Sequence, residues 1–200
     1  LQRQGGDAQP ALAAFAAAIK VAPRDPQLFN NLGNLHKTLG ATDDALDAYR
    51  KAISLNPNFA DAHANFGIVA QGAGRYEEAL PALQKAAILA PTLARAWSSL
   101  GLCLRELGQH DVAAEALDRA LALDAKSPIA LRGRAIVEAE RGGPEAASLY
   151  HRAAQALPDD LEVALGAAVA RHESGDSAGA VAALAAKVAA HPDWATGHEA

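Results

Sequence analysis

Two hundred residues with 18 basic against 23 acidic side chains carry a formal charge of -5. That balance lacks the basic excess that phosphate binding requires, so nucleic acid is excluded as the main partner. One cysteine among 200 residues rules out an internal disulfide framework and fits a reducing, cytoplasmic compartment. The longest apolar stretches, around 11–19 and 181–190, are too short or broken by Lys187 to span a bilayer, and no membrane partner is expected. Alanine fills 52 positions, which suits closely packed helices, leaves few large core side chains and suggests a bacterial source.

Taken in chain order, the sequence repeats itself. Residues 1–25 form a partial copy in which Gly6, Ala11, Phe15, Ala18 and Pro23 match a second helix. The first full copy, 26–59, reads Phe29, Leu32, Gly33, Gly40, Ala45, Tyr49, Ala52 and Pro57. The copy at 60–93 reads His63, Phe66, Gly67, Gly74, Ala79, Leu83, Ala86 and Pro91. The copy at 94–127 reads Trp97, Leu100, Gly101, Gly108, Ala113, Leu117 and Ala120, with Ala125 where proline is expected. The next, 128–160, is one residue short, with the gap at Gly142, Gly143 and Pro144, and Tyr150, Ala153 and Pro158 return to phase. In 161–194 the pattern continues through Ala168, Gly175, Ala180, Leu184 and Pro192, and it restarts at 195–200. The chain contains no methionine and opens and closes inside repeats, so it reads as a piece of a longer array.

Each copy predicts a helix, a tight turn and a second helix. Leu32, Gly33 and His36 share one helical face, and Ala45, Tyr49 and Ala52 share another. Gly33, Ala45 and Ala52 lack the bulk that would hold neighbouring helices apart. Gly40 supplies the backbone freedom to reverse direction, and Pro57 stops the second helix.

A fixed period of 33 or 34 residues with W-x2-L-G, a later alanine and a closing proline resembles the tetratricopeptide repeat (TPR) family along nearly the whole chain. The resemblance implies an all-α fold, a single array from 1 to 200 forming a right-handed superhelical solenoid whose repeats stabilise one another by stacking. It implies a protein–protein interaction scaffold that binds an extended peptide in a concave groove and is not an enzyme. The alternative is a non-catalytic docking arm of a larger bacterial enzyme of glycosyltransferase, sulfotransferase or 2-oxoglutarate oxygenase type. Self-association through the cut solenoid ends is a further implied partner mode.

The resemblance also implies which residues face the groove: the second, fifth, sixth, ninth, twelfth and thirteenth of each repeat. The sixth place reads Asn31, Asn65, Ser99, Gly133 and Gly166. Its first two members resemble the asparagine ladder in the TPR arms of O-GlcNAc transferases, where side-chain amides hold a peptide backbone. The dicarboxylate clamp of chaperone-binding TPRs fails here. Asn34 and Asn65 supply its asparagines, but Asn30 stands where its first lysine belongs and Ser99 where its last cation belongs. Asn31, Asn34, Lys37, Asn65, Arg95, Ser99, Arg105 and Arg132 are the candidate groove residues, with the arginines and Lys37 making the middle locally basic while Glu106, Glu140 and Glu173 run along one edge.

Catalytic and metal signals are weak. Residues 175–179 match G-x-S-x-G, but the segment falls in an inter-helix turn with neither the strand nor the base that a nucleophile elbow needs, so Ser177 is read as inert. His36, His63 and His110 stand where the repeat places aromatic residues and are read as packing substitutes. His191 and His198 lack partners at metal-ligand spacing. Buried Cys103 is read as a small core residue. No cofactor or metal is expected.

Overall fold

The computed structural model describes residues 8–191, and the expectations placed on Gly6, Pro192, Trp194, His198 and 195–200 lie outside them. Among the described residues the chain is all-helical, with α1 (Ala8–Val21), α2 (Pro26–Thr38), α3 (Thr42–Leu55), α4 (Ala60–Gly72), α5 (Tyr76–Leu89), α6 (Ala94–Glu106), α7 (His110–Leu123), α8 (Pro128–Glu140), α9 (Ala146–Ala156), α10 (Leu161–Glu173) and α11 (Ser177–Ala190). Pairs α2/α3, α4/α5, α8/α9 and α10/α11 pack within repeats, and α3/α4, α7/α8 and α9/α10 pack between them. This is the helix–turn–helix stacking that the repeats predict.

Local signals set the boundaries. Gly40, Gly74, Gly108, Gly142 and Gly175 all have positive φ, from 65° to 94°, a conformation that costs glycine nothing. Asp25, Asp160 and Asp176 cap α2, α10 and α11 by accepting from Gln27, Val163 and Gly179 backbone N–H groups. The missing residue of the fourth full repeat is absorbed after Gly142, and α9 shortens to 11 residues.

The chain divides into two compact units, one ending at Cys103 and the other beginning at Leu104. In unit 1 the core is built from Leu46, Tyr49, Leu83 and Cys103 among many alanines. A Cβ added at Gly33 would lie 2.5 Å from the Tyr49 ring, and one at Gly67 2.5 Å from Leu83 Cγ, so both glycines set the helix–helix distance. In unit 2 Leu117, Val137, Tyr150 and Val163 are buried, but so are Arg134 and Glu138.

Candidate functional site

In unit 1 the first helices α2 and α4 lie side by side, so their outward residues form one surface. A line of polar groups crosses it. Asn65, only 8% exposed, donates through Nδ2 to Asn30 Oδ1 at 2.9 Å. Its Oδ1 accepts from Arg95 Nη1 at 2.7 Å, and the other arm of Arg95 bonds Asp61. A buried amide without partners costs about 1–3 kcal/mol, which is why Asn65 recruits one neighbour from each side.

Both members of the asparagine ladder therefore have partners inside the protein. Asn31 Oδ1 accepts from Gln27 Nε2 at 2.9 Å within its own helix, although Asn31 is exposed and its Nδ2 donors face no protein acceptor among the described residues. Asn34 accepts from the Tyr49 hydroxyl at 2.9 Å. Burial pushes that phenol up to about 12, against a smaller opposing pull from Arg95. Ser99 is buried at 8% exposure, whereas Lys37 is exposed.

The basic strip is corrected, because its arginines are paired with carboxylates. Arg95 bonds Asp61. In unit 2, Arg105 bonds Glu106 and lies 4.0 Å from Glu140. Arg132 lies 3.2 Å from Asp160 and 3.5 Å from Glu162. Glu106 and Glu140 belong to the acidic edge expected beside the strip, whereas Asp61, Asp160 and Glu162 are further carboxylates that cancel its charge.

Unit 2 holds a charge cluster that the sequence reading missed. Arg134 donates through Nε to Asp118 at 2.9 Å and through Nη1 to Glu138 at 2.7 Å. The hydrogen bond from Arg134 holds the Glu138 carboxyl below its usual range, against burial, with help from the Glu145 backbone N–H and Arg141. Burial opposes the charge on Arg134, but its bonds to Glu138 and Asp118 leave the guanidinium above its ordinary value. The available signal was register: Arg134 occupies the place held by Leu32, Phe66 and Leu100, and a carboxylate follows one turn later.

The histidines bear on packing. Trp97 is half-buried, and its indole N–H donates to the Pro91 carbonyl at 2.9 Å. His63, one repeat earlier, places Nε2 2.9 Å from the Pro57 carbonyl, so it reproduces that bond as the Nε2–H tautomer and leaves Nδ1 buried without a partner. His36 Nδ1 lies 3.9 Å from Asp44 and His110 Nδ1 3.2 Å from Glu140, both close enough to pair when charged. The Cys103 thiol is fully buried and reaches the Tyr76 carbonyl at 3.4 Å. Among the described residues no three His, Cys, Asp or Glu side chains converge as a metal would require. No helix among them is long and apolar enough to cross a membrane.

Ser177 opens α11 after the turn at Gly175, as expected. The absence of a nearby base is corrected: His172 Nδ1 lies 2.7 Å from Ser177 Oγ across that turn. The pair is exposed, and among the described residues no strand precedes it and no carboxylate orients the imidazole. A serine and a histidine without an orienting group or an oxyanion pocket fall short of the nucleophile–base–orienter arrangement.

Stacked helix pairs with polar groups arrayed across adjoining first helices define a scaffold for protein interaction. The residues 26–59 and 64–128 match models of the tetratricopeptide repeat, and the chain is a tetratricopeptide-repeat protein. Its fold is similar to that of YrrB, a TPR protein with an unusual peptide-binding site, at 25% identity over 90% of this chain and 93% of that one, with a TM-score of 0.74. It is also similar to PilW, a widely conserved type IV pilus biogenesis factor, at 23% identity over 96% and 89% of the two chains, TM-score 0.79. The pilF protein of Pseudomonas aeruginosa matches at 22% identity over 94% and 86%, TM-score 0.81. No curated protein sequence matches the chain significantly.

Proposed function

We propose that the first-helix face of unit 1 binds an extended segment of a partner protein. The observation that carries this reading is the Asn30–Asn65–Arg95–Asp61 line, which fixes donor groups across three successive first helices. Because the Asn31 and Asn65 carbonyl oxygens already accept bonds inside the protein, the face offers mainly N–H groups. An amide nitrogen has two hydrogens and a guanidinium five, so donors remain on Asn31 and Arg95 after their internal bonds are counted. Backbone carbonyls of an extended peptide are their natural acceptors, with Asn34, Lys37 and Ser99 flanking them and Arg105 and Arg132 serving the same role in unit 2. The peptide-binding site named for YrrB agrees with this use of the fold.

Selection of random displayed peptides on the immobilised protein tests the reading. Each lost hydrogen bond is worth about 0.5–1.5 kcal/mol, so Asn31→Ala with Arg95→Ala should weaken selected peptides about tenfold, and thermal melts should show the cost of about 1–3 kcal/mol of leaving the buried Asn65 Oδ1 without its Arg95 partner. Equal affinity for wild type and double variant would remove the first-helix face from consideration.

A further inference from the structure

Both units carry a depression between successive second helices, above the first helix that separates them. In unit 1 it is an open, shallow groove between α3 and α5, floored by Ile53, His63 and Phe66. In unit 2 the same place between α9 and α11 is a more recessed cleft of about 440 Å³. The repeat register explains the difference. Ala147, Ala154, Ala164 and Ala167 stand where unit 1 has Leu46, Ile53, His63 and Phe66. Both volumes, about 440 Å³ here and about 550 Å³ in unit 1, fall inside the range of about 300–1,000 Å³ common for small-ligand sites, so it is the greater enclosure that sets the unit 2 cleft apart.

The cleft is also charged. Arg171 and Lys187 line it at the places where unit 1 buries Ala70 and Ala86. Lys187 Nζ donates to the Pro158 carbonyl at 2.6 Å and Arg171 Nη1 to the Gly179 carbonyl at 3.4 Å, so both rest on backbone oxygens. The acidic residue of the lining, Asp160, is already engaged. One of its oxygens bonds Arg132 at 3.2 Å and the other caps the Val163 N–H at 3.0 Å. Two cations thus border an apolar floor, and among the described residues no carboxylate neutralises them.

We infer that this cleft is a second binding site, on the second-helix side of unit 2, for the last residue of a partner polypeptide. Its apolar side chain rests on the alanine floor and its terminal carboxylate bonds Arg171 and Lys187. An internal Asp or Glu offers a carboxylate without an apolar body, and an internal Leu or Phe offers the reverse. A C-terminal Leu or Phe carries both on one residue. The inference does not depend on the peptide reading of unit 1.

Fluorescence polarisation on the intact chain tests it, with a labelled Gly-Ser-Gly-Ser-Ala-Phe peptide carrying either a free carboxylate or a C-terminal carboxamide. The acid should bind at least about tenfold more tightly than the amide, and only its binding should weaken as salt is raised. Arg171→Gln with Lys187→Gln should erase the preference for the acid. Ala167→Phe should abolish binding by restoring the floor of unit 1, with Ala154→Ile as the milder filler and a thermal melt confirming that each variant folds. Asn31→Ala with Arg95→Ala should leave this binding unchanged, which separates the cleft from the unit 1 face. Equal binding of acid and amide, full binding by both folded fillers, or no binding at millimolar peptide would each overturn the inference.

Discussion

Unit 1 and unit 2 follow one repeat pattern and fill it differently. In unit 1, Tyr49 and Leu83 press against Gly33 and Gly67, and large apolar side chains close the space between helices. In unit 2, Arg134 replaces the signature leucine, Glu138 answers it one turn later, and Ala167 stands where Phe66 does. The turn glycines are common to both. The pattern therefore governs where the chain reverses and how near the helices come, while cohesion comes from apolar contact in one unit and partly from a buried ion pair in the other.

The sharpest way to break this comparison is to remove the buried acid of unit 2. Glu138→Ala leaves the buried Arg134 with the more exposed Asp118 as its remaining carboxylate and should cost up to about 3 kcal/mol in urea unfolding. Replacing the pair together, Arg134→Leu with Glu138→Leu, restores unit 1 chemistry and should be neutral or stabilising. A cost below about 1 kcal/mol for the single change would show that the pair does not hold unit 2 together.

pH separates the units next. The Tyr49 phenol is pushed up to about 12 in the folded chain, so its contribution is full below the ordinary tyrosine value near 10 and is lost as pH rises toward 12. That loss amounts to about 2–3 kcal/mol, and Tyr49→Phe should remove it from alkaline melts. Tyr150 is raised too, first by burial and then by Glu162 and Glu140, so alkali weakens both units. Acid discriminates. The Glu138 carboxyl is depressed, so its contribution is full above the ordinary carboxylate range and is lost as pH falls below about 4.3. Hydrogen exchange at pH 3 should rise in α8 and α9 before it rises in α2–α5, and Glu138→Gln should flatten the difference.

Smaller effects test the glycine contacts and the serine. Gly33→Ala forces the Tyr49 ring aside and should cost about 1–3 kcal/mol in thermal melts. Ser177→Ala should leave any ester hydrolysis by the purified chain unchanged, and a loss of activity would make the Ser177–His172 pair chemically relevant.

The turns were fully legible in the sequence because a left-handed backbone leaves few alternatives to glycine, and Gly40 through Gly175 recur in phase. The gap at Gly142, Gly143 and Pro144 was legible for the same reason. The partners of Asn65 were not, because they come from residues 35 and 30 positions away whose rotamers no periodicity encodes. The pairing of Arg132 was hidden likewise, since its carboxylates, Asp160 and Glu162, stand about 30 positions on, whereas Glu106 and Glu140 beside Arg105 were already on the expected acidic edge. Ser177 was read as lacking a base although His172 stands only five residues before it, because a turn, unlike a helix, gives no fixed rule for which side chains meet.

The ring nitrogen shared by His63 and Trp97 has a consequence for how such arrays tolerate change. Each ring ties the first helix of its repeat to the carbonyl of the proline that closed the previous one, at the same 2.9 Å. What is kept is an N–H at a fixed place, and an imidazole delivers it as well as an indole. The repeat thus fixes the bond and leaves the ring open, so this position can change residue type without loosening the joint between one repeat and the next.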